Sequence, residues 1–147
     1  MTEFQIKPFE ALSSTELYQI LQLRSEVFVV EQNCVYQDVD GKDLKAFHVL
    51  GYQDTILVAY ARLFRPNDYF EASSIGRVIV KASHREQKLG HDLIRTAIET
   101  IASLFQETRI TISAQLYLQR FYESHGFVKQ GESYLEDDIP HIEMRIL

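Results

Sequence analysis

Residues 75–98 read Ile75-Gly-Arg-Val-Ile-Val80-Lys-Ala-Ser-His84-Arg85-Glu-Gln-Lys-Leu-Gly90-His-Asp-Leu-Ile-Arg-Thr-Ala-Ile98. The β-branched run Arg77-Val-Ile-Val80 predicts a strand over 74–80, and Gly76 hints at a bend in it. The polar loop Lys81-Ala-Ser-His84 follows, and Arg85 to Gly90 opens a long helix. Leu89, Leu93, Ile94, Ala97, Ile98, Ile101 and Leu104 trace one face of that helix over 89–105. A strand–loop–helix of this kind aims unpaired backbone N–H groups and the positive end of the helix dipole at one spot. That spot suits an anion such as a pyrophosphate. Gly90 permits close approach of backbone to a ligand, while Arg85 and Lys88 add positive charge. A crossover whose charged loop is merely solvated accounts for the same residues. Neither a Walker loop nor a Gly-x-Gly-x-x-Gly fingerprint is present.

Outward from this stretch, residues 3–7 read as a short strand ended by Pro8. Ser13-Ser14-Thr15 offers a cap for a helix over about 14–31, with Leu17, Ile20, Leu21, Val27 and Phe28 at helical spacing. Residues 32–45 form a long, charged, turn-rich loop, which makes a functional role natural. Strands follow over 46–51 and 55–65, joined by a hairpin turn at Gly51-Tyr-Gln-Asp54. After the long helix come a strand over 109–113, a helix over 115–125, a strand from Gly126 and a last strand over 142–146. Hairpins dominate the first half and strand–helix alternation the second, so the pattern predicts a mixed α/β sheet with helices on both faces.

The chain has 147 residues, 46% of them hydrophobic, which fits one domain with a real core. Fifteen basic and twenty-one acidic residues leave a charge of −6, so long-range attraction to nucleic acid or anionic lipid is not expected. Ile56 to Ala61 is the longest apolar run, far short of the ~20 residues of a membrane helix. The start, Met1-Thr-Glu-Phe-Gln-Ile, lacks the basic and apolar stretches of a signal peptide. With a single cysteine, Cys34, the expected compartment is the cytoplasm. A nucleophilic Cys34 is disfavoured, because Lys42 and Lys45 are its nearest cations in sequence and acids surround them. His48, His84, His91, His125 and His141 show no spacing suited to a metal, and none is expected.

The six residues Arg85, Glu86, Gln87, Lys88, Leu89 and Gly90 resemble the acyl-CoA pyrophosphate loop of the GNAT superfamily of N-acetyltransferases, Gln/Arg-x-x-Gly-x-Gly/Ala. Lys88 stands at the first glycine, where an α-type conformation would keep the N–H donors in place. Ser113-Ala-Gln115 followed by Tyr122-Glu-Ser-His-Gly-Phe127 resembles the family's second signature. Three further blocks narrow the resemblance to the ElaA-type branch: Leu23-Arg-Ser-Glu-Val-Phe-Val-Val-Glu-Gln32, Asp38-Val-Asp-Gly-Lys-Asp43 leading to His48, and Glu136-Asp-Asp-Ile-Pro-His-Ile142. The five blocks span essentially the whole chain, in order.

The resemblance implies a single GNAT domain over 1–147: one mostly antiparallel, twisted sheet whose central strands splay apart. It implies transfer of an acetyl group from acetyl-CoA to the amine of a small acceptor. A non-catalytic acyl-CoA-binding sensor is the second reading. The pantetheine arm would bond the main chain of Val78, Ile79 and Val80, the pyrophosphate would lie on residues 85–90, and Gln115 would flank the cofactor. By carry-over Tyr122 is the acid for the leaving thiolate, though a buried aromatic would look the same in sequence. Glu31, after the apolar run Val27-Phe-Val-Val30, is the first candidate base, since burial there would raise its carboxyl; a solvated helix-end acid is equally compatible. His48 is the second candidate, and Phe28, His48 and His141 are candidates for the acceptor pocket. Glu31, Asp38, Asp40, Glu136, Asp137 and Asp138 would favour a cationic amine. Dimers are common in this fold, which leaves a homodimer open.

Overall fold

The computed structural model spans residues 1–147. Its elements are β1 (Glu3–Pro8), α1 (Ser14–Arg24), β2 (Phe47–Gln53), β3 (Ile56–Phe64), β4 (Ser74–Val80), α2 (Leu89–Leu104), β5 (Ile110–Gln115), α3 (Gln119–Glu123), β6 (Val128–Glu136) and β7 (Ile139–Ile146). Strands β1-β2-β3-β4 pair antiparallel, as do β5-β7-β6. The two halves meet where β4 and β5 run parallel, through the bridge between Ser73 and Ile110 and the Thr111 N–H donated to the Ser73 carbonyl at 2.8 Å. Beyond that bridge β4 and β5 pair no further, and the sheet opens. The expected splay is therefore present. No helix is long and apolar enough to cross a membrane.

A bulge in β4 redirects the strand at this opening. The register with β3 passes from Arg62 opposite Gly76 to Tyr60 opposite Ile79, so Arg77 and Val78 share Ala61. Arg77 adopts φ +50°, a left-handed conformation that a long side chain rarely takes. Gly76 was the expected bend; the bend lies one residue later, because Arg77 is held from outside the strand. Its Nε sits 2.8 Å from Asp38 Oδ1, and its Nη2 donates to the Asp38 carbonyl at 3.0 Å.

Both faces of the upstream half are covered, so β3 is buried from Leu57 to Phe64 instead of alternating. Ala59, Ala61 and Leu63 pack with Leu93, Ile94, Ala97 and Ile101 of α2, together with Ile112, Tyr122 and Met144. Leu50, Tyr60 and Ile79 pack with Ile20, Leu23, Val27 and Phe28 on the other face. The first of these helices starts with a capping box: Ser13 Oγ accepts the Glu16 N–H at 3.0 Å, and Glu16 Oε1 accepts the Ser13 N–H at 2.8 Å. The helix expected over 14–31 changes its winding at Ser25, and Ser25–Glu31 forms a π-helix. Such wide turns are rare and gather at functional sites.

Other boundaries move for local reasons. The β2–β3 turn is Asp54-Thr55, with Asp54 at φ +55°. Gly51 lies inside β2 instead, where a Cβ would stand 2.9 Å from the Phe4 ring and 3.0 Å from Ala59 Cβ. The helix expected over 115–125 is a 3₁₀ turn, Leu116–Leu118, followed by the short α3. The last two strands are longer than expected, because Asp137 and Asp138 at φ +51° and +63° make a two-residue hairpin turn.

Asp38 and Asp40 were expected beside a cationic acceptor, and Asp43 lies next to them. They are instead consumed by arginines. Arg24, fully buried, donates from Nε to Asp38 Oδ2 at 2.8 Å and from Nη1 to Asp43 Oδ1 at 2.7 Å. Arg62, 1% exposed, donates to both oxygens of Asp40 at 2.9 and 2.7 Å and to Asp43 Oδ1 at 2.9 Å. Three guanidiniums and three carboxylates thus cancel, and they staple the 32–45 loop to α1, β3 and β4. Burial alone would raise the Asp40 and Asp43 carboxyls, but the arginine hydrogen bonds outweigh it and both titrate below the ordinary range.

Arg24→Met keeps the volume and removes one of the two guanidiniums paired with each of the Asp38 and Asp43 carboxylates, and is expected to cost roughly 3–5 kcal/mol of unfolding free energy in urea titrations. Because Asp40 and Asp43 titrate lower when folded than when unfolded, their stabilisation is complete above the unfolded value near ~4 and drains as pH falls through it. Denaturation curves recorded from pH 7 to pH 3 are expected to show that loss.

Candidate active site

The opening between β4 and β5 continues into a cavity of about 430 Å³. At one end lie Arg85 and Gly90; along its length lie Val78, Ile79, Val80, Gln115, Phe121 and Tyr122; at the other end lie Ser113, Glu136 and His141. Phe28 from the π-helix forms part of the wall, together with Phe64, Tyr69 and Phe70. The two sides of the opening are clasped by Gln32 and Gln115, whose side-chain amides exchange hydrogen bonds at 3.2 and 3.3 Å.

The loop between β4 and α2 is a 3₁₀ turn over Ala82–Gln87, followed by Lys88 at φ +58°, ψ +30°. The α-type conformation expected for Lys88 is thus replaced by its left-handed mirror, which a glycine takes freely and a lysine does not. Lys88 occupies the cap position of α2 without a capping hydrogen bond, and its side chain has no oxygen to offer one. The N-terminus of α1 is closed by two side chains; that of α2 is left to whatever enters the cavity. A Cβ on Gly90 would stand 3.3 Å from the Phe121 ring. Of the six loop residues, Arg85 and Gly90 line the cavity. The Leu89 side chain is buried in the core, whereas Glu86, Gln87 and Lys88 are exposed.

Arg85 is already engaged. Its Nε donates to the Val80 carbonyl at 3.0 Å, and its two Nη groups donate to the Glu31 carboxylate at 2.5 and 2.9 Å. This corrects the expectation for Glu31. The residue closes the π-helix, lies exposed, and is not embedded in the apolar run preceding it, because the wide turns carry it round to the loop.

His48 is corrected as well. It is fully buried, with Nε2 3.1 Å from the Asp43 carbonyl and Nδ1 2.6 Å from the Tyr60 hydroxyl. A carbonyl only accepts, so Nε2 carries the hydrogen and Nδ1 takes one from Tyr60. Burial holds the imidazole below its usual value. Both nitrogens are spent on the fold, outside the cavity.

Tyr122 is buried yet lines the cavity. Burial raises its phenol above the ordinary value, with the Tyr117 phenol adding to the shift. His141 and Phe28 reach the cavity too. Ser113 and Glu136 were not expected as neighbours of His141. The signal available was the block Glu136 to Ile142, whose hairpin turn returns the chain onto itself and sets Tyr134 opposite His141. Cys34 lines the same end and donates its thiol hydrogen to the Asp137 carbonyl at 3.3 Å.

The acetyltransferase (GNAT) domain family matches residues 11–147. The chain belongs to the GNAT family, on its ElaA-type branch. It is 46% identical to Protein ElaA of Escherichia coli K12 over 98% of this chain and 95% of that one. The crystal structure of E. coli ElaA superimposes with a TM-score of 0.92 at 45% identity, covering 99% of each chain. An acyl-CoA N-acyltransferase from Pseudomonas aeruginosa does so with a TM-score of 0.93 at 45% identity, again over 99% of each chain. Acyl transfer from an acyl-CoA is therefore the chemistry that a cavity in this GNAT chain has to serve.

The left-handed Lys88 gives a direct check on the loop. Lys88→Gly is expected to raise unfolding free energy by up to about 1 kcal/mol, by relieving a conformation that costs ~1–2 kcal/mol in a side-chain-bearing residue. Lys88→Val, β-branched and worse suited to positive φ, is expected to lower it by at least as much. Paired urea titrations read both.

Proposed function

We propose that this protein transfers an acetyl group from acetyl-CoA directly to the primary amine of a small acceptor. The observation carrying the proposal is the continuous opening along β4 from Arg85 and Gly90, past Tyr122, to Glu136 and His141. The unpartnered edge of β4 offers Val78 to Val80 as main-chain partners for an extended, amide-bearing pantetheine arm. The uncapped start of α2 and the Arg85 guanidinium suit a diphosphate. Glu31 then has a defined part: it holds Arg85 until phosphate oxygens compete for the guanidinium. Gln115 sits at the clasp that the arm has to pass.

Acyl transfer needs hydrogen bonds that strengthen as the thioester oxygen gains charge, and a proton for the departing sulfur. The main chain near Val80 is the candidate for the first. Tyr122 suits the second, since burial keeps its phenol protonated at neutral pH. Acceptor preference follows from charges left unpaired. Asp38 and Asp40 are cancelled by arginines, so Glu136 and Asp137 alone carry the proposed preference for a cationic amine.

Acetyl-CoA is expected to raise the melting temperature, and amines offered with it are expected to release free CoA thiol. Tyr122→Phe is expected to lower kcat on the order of 100-fold with KM for acetyl-CoA little changed. Thermal protection without thiol release from any amine would mark a binding module rather than an enzyme.

A further inference from the structure

The amine-acetylating reading above leaves one step without a residue. An alkylammonium has a pKa near ~10, so only about one molecule in a thousand is neutral at pH 7. A group in the cavity has to take its proton before nitrogen can attack. Glu31 lies exposed beside Arg85 at the phosphate end of the cavity, His48 is sealed in the fold, and Tyr36 donates its hydroxyl to Asp38 at 2.8 Å.

The far end of the cavity holds an assembly that lacks one proton. His141 Nδ1 lies 2.7 Å from the Ile139 carbonyl. A carbonyl cannot donate, so Nδ1 carries the hydrogen and Nε2 of the neutral ring presents a lone pair. Nε2 faces Glu136 Oε2 at 3.6 Å. Two acceptors thus oppose each other with no hydrogen between them. Glu136 is held in place from behind: its Oε1 accepts the Ser113 hydroxyl at 3.1 Å. Ser113 has then given away its only hydrogen, so Tyr134 donates to Ser113 Oγ, and the hydrogen bonds run one way toward the carboxylate. The Tyr134 ring stacks over His141 with centroids 6.3 Å apart. His141 is 7% exposed and lines the cavity with Ser113 and Glu136. The groups presented to it are Ser113 and Gln115 from β5, Tyr134 and Glu136 from β6, and Asp137 in the turn. Counted along both strands from the Ser73–Ile110 bridge, Ser113 is level with Gly76, next to the bulge that opens the sheet.

We infer that His141 Nε2 is the proton acceptor for the incoming amine, with Glu136 stabilising the imidazolium and with Ser113 and Tyr134 as positioning residues. The proton on the ammonium passes to Nε2, which completes the hydrogen bond to Glu136. The freed nitrogen lone pair forms the C–N bond at the thioester carbonyl, and the C–S bond breaks. The sulfur takes a proton from Tyr122, and the second proton lost by nitrogen as the amide forms restores that balance. One proton leaves per turnover, through His141 to solvent.

The test compares nucleophiles that do and do not need deprotonation. CoA release is followed with ethanolamine, cadaverine and phenethylamine, and with hydroxylamine, which is already neutral at pH 7. His141→Gln is expected to lower kcat/KM for the best alkylamine roughly 100-fold, while hydroxylamine-dependent release and calorimetric affinity for acetyl-CoA change less than about 3-fold. Glu136→Gln removes the negative charge that favours the imidazolium, so the acid limb of kcat/KM is expected to move to lower pH. A His141→Gln enzyme with unaltered alkylamine kinetics and an unmoved limb overturns the assignment. Equal loss with both nucleophile classes overturns it too, by marking a structural role. A wild-type enzyme that releases no thiol with any amine brings down the parent reading, and this one with it.

Discussion

The parting of β4 from β5 is the constraint on which the rest of the structure depends. A continuous sheet would satisfy every backbone group and leave no room for a ligand arm. Here the parallel pairing ends at Ser73 and Ile110, and the bulge at Arg77 turns β4 away. That bulge rests on a residue in an unfavourable conformation, so something else has to hold it. The holding group is Asp38, which also receives the buried Arg24. The loop 32–45 therefore sets the angle of a strand far from it in sequence. Loss of its charges would act on the cavity through backbone geometry rather than through contact with a ligand.

Charge is allocated along the same lines. In a chain of net charge −6, the buried Asp38 and Asp43 and the part-buried Asp40 are matched to three arginines, and their business is structural. Arg85 and Glu31 form a separate, exposed pair at the mouth of the cavity, where solvent weakens the attraction and makes it exchangeable. The contrast in burial separates a pair that specifies the fold from one that a competing anion can displace. The same logic distinguishes the helix ends. One is closed by Ser13 and Glu16, and the other begins at a lysine whose side chain has no acceptor for the first amides.

Much of this was legible in the sequence because it depends on local pattern. The strand Arg77–Val80, the loop to Gly90 and the amphipathic face from Leu89 to Ile101 follow from β-branching, charge and helical period. Tyr122 and His141 were placed by resemblance to ordered blocks. The failures arise where one residue's state is set by a distant one. Asp38 and Asp40 look like free acids until Arg24, Arg62 and Arg77 arrive from three elements. Glu31 looks buried because the four residues before it, Val27-Phe-Val-Val30, are all apolar, and the switch to π winding has no simple signature. His48 looks available until Tyr60 and the Asp43 carbonyl occupy its nitrogens. Ser113 and Glu136 are 23 residues apart in sequence, and only the Asp137-Asp138 turn brings them together.

The two titratable groups given roles in the proposed reaction differ in the way that their tasks demand. Tyr122 has no charged partner at its hydroxyl; burial, aided by the Tyr117 phenol, holds its proton, and that proton is released only to a base as strong as a departing thiolate. His141 has the opposite surroundings, with its one free lone pair set against a carboxylate that gains a hydrogen bond once a proton arrives. A single cavity can host both because they sit on elements from different parts of the chain, Tyr122 on α3 and His141 on β7. An acid and a base that shared one environment would shift together, and a reaction that needs one to give while the other takes would lose both. The opened sheet gives both groups access to the same space, each from its own wall.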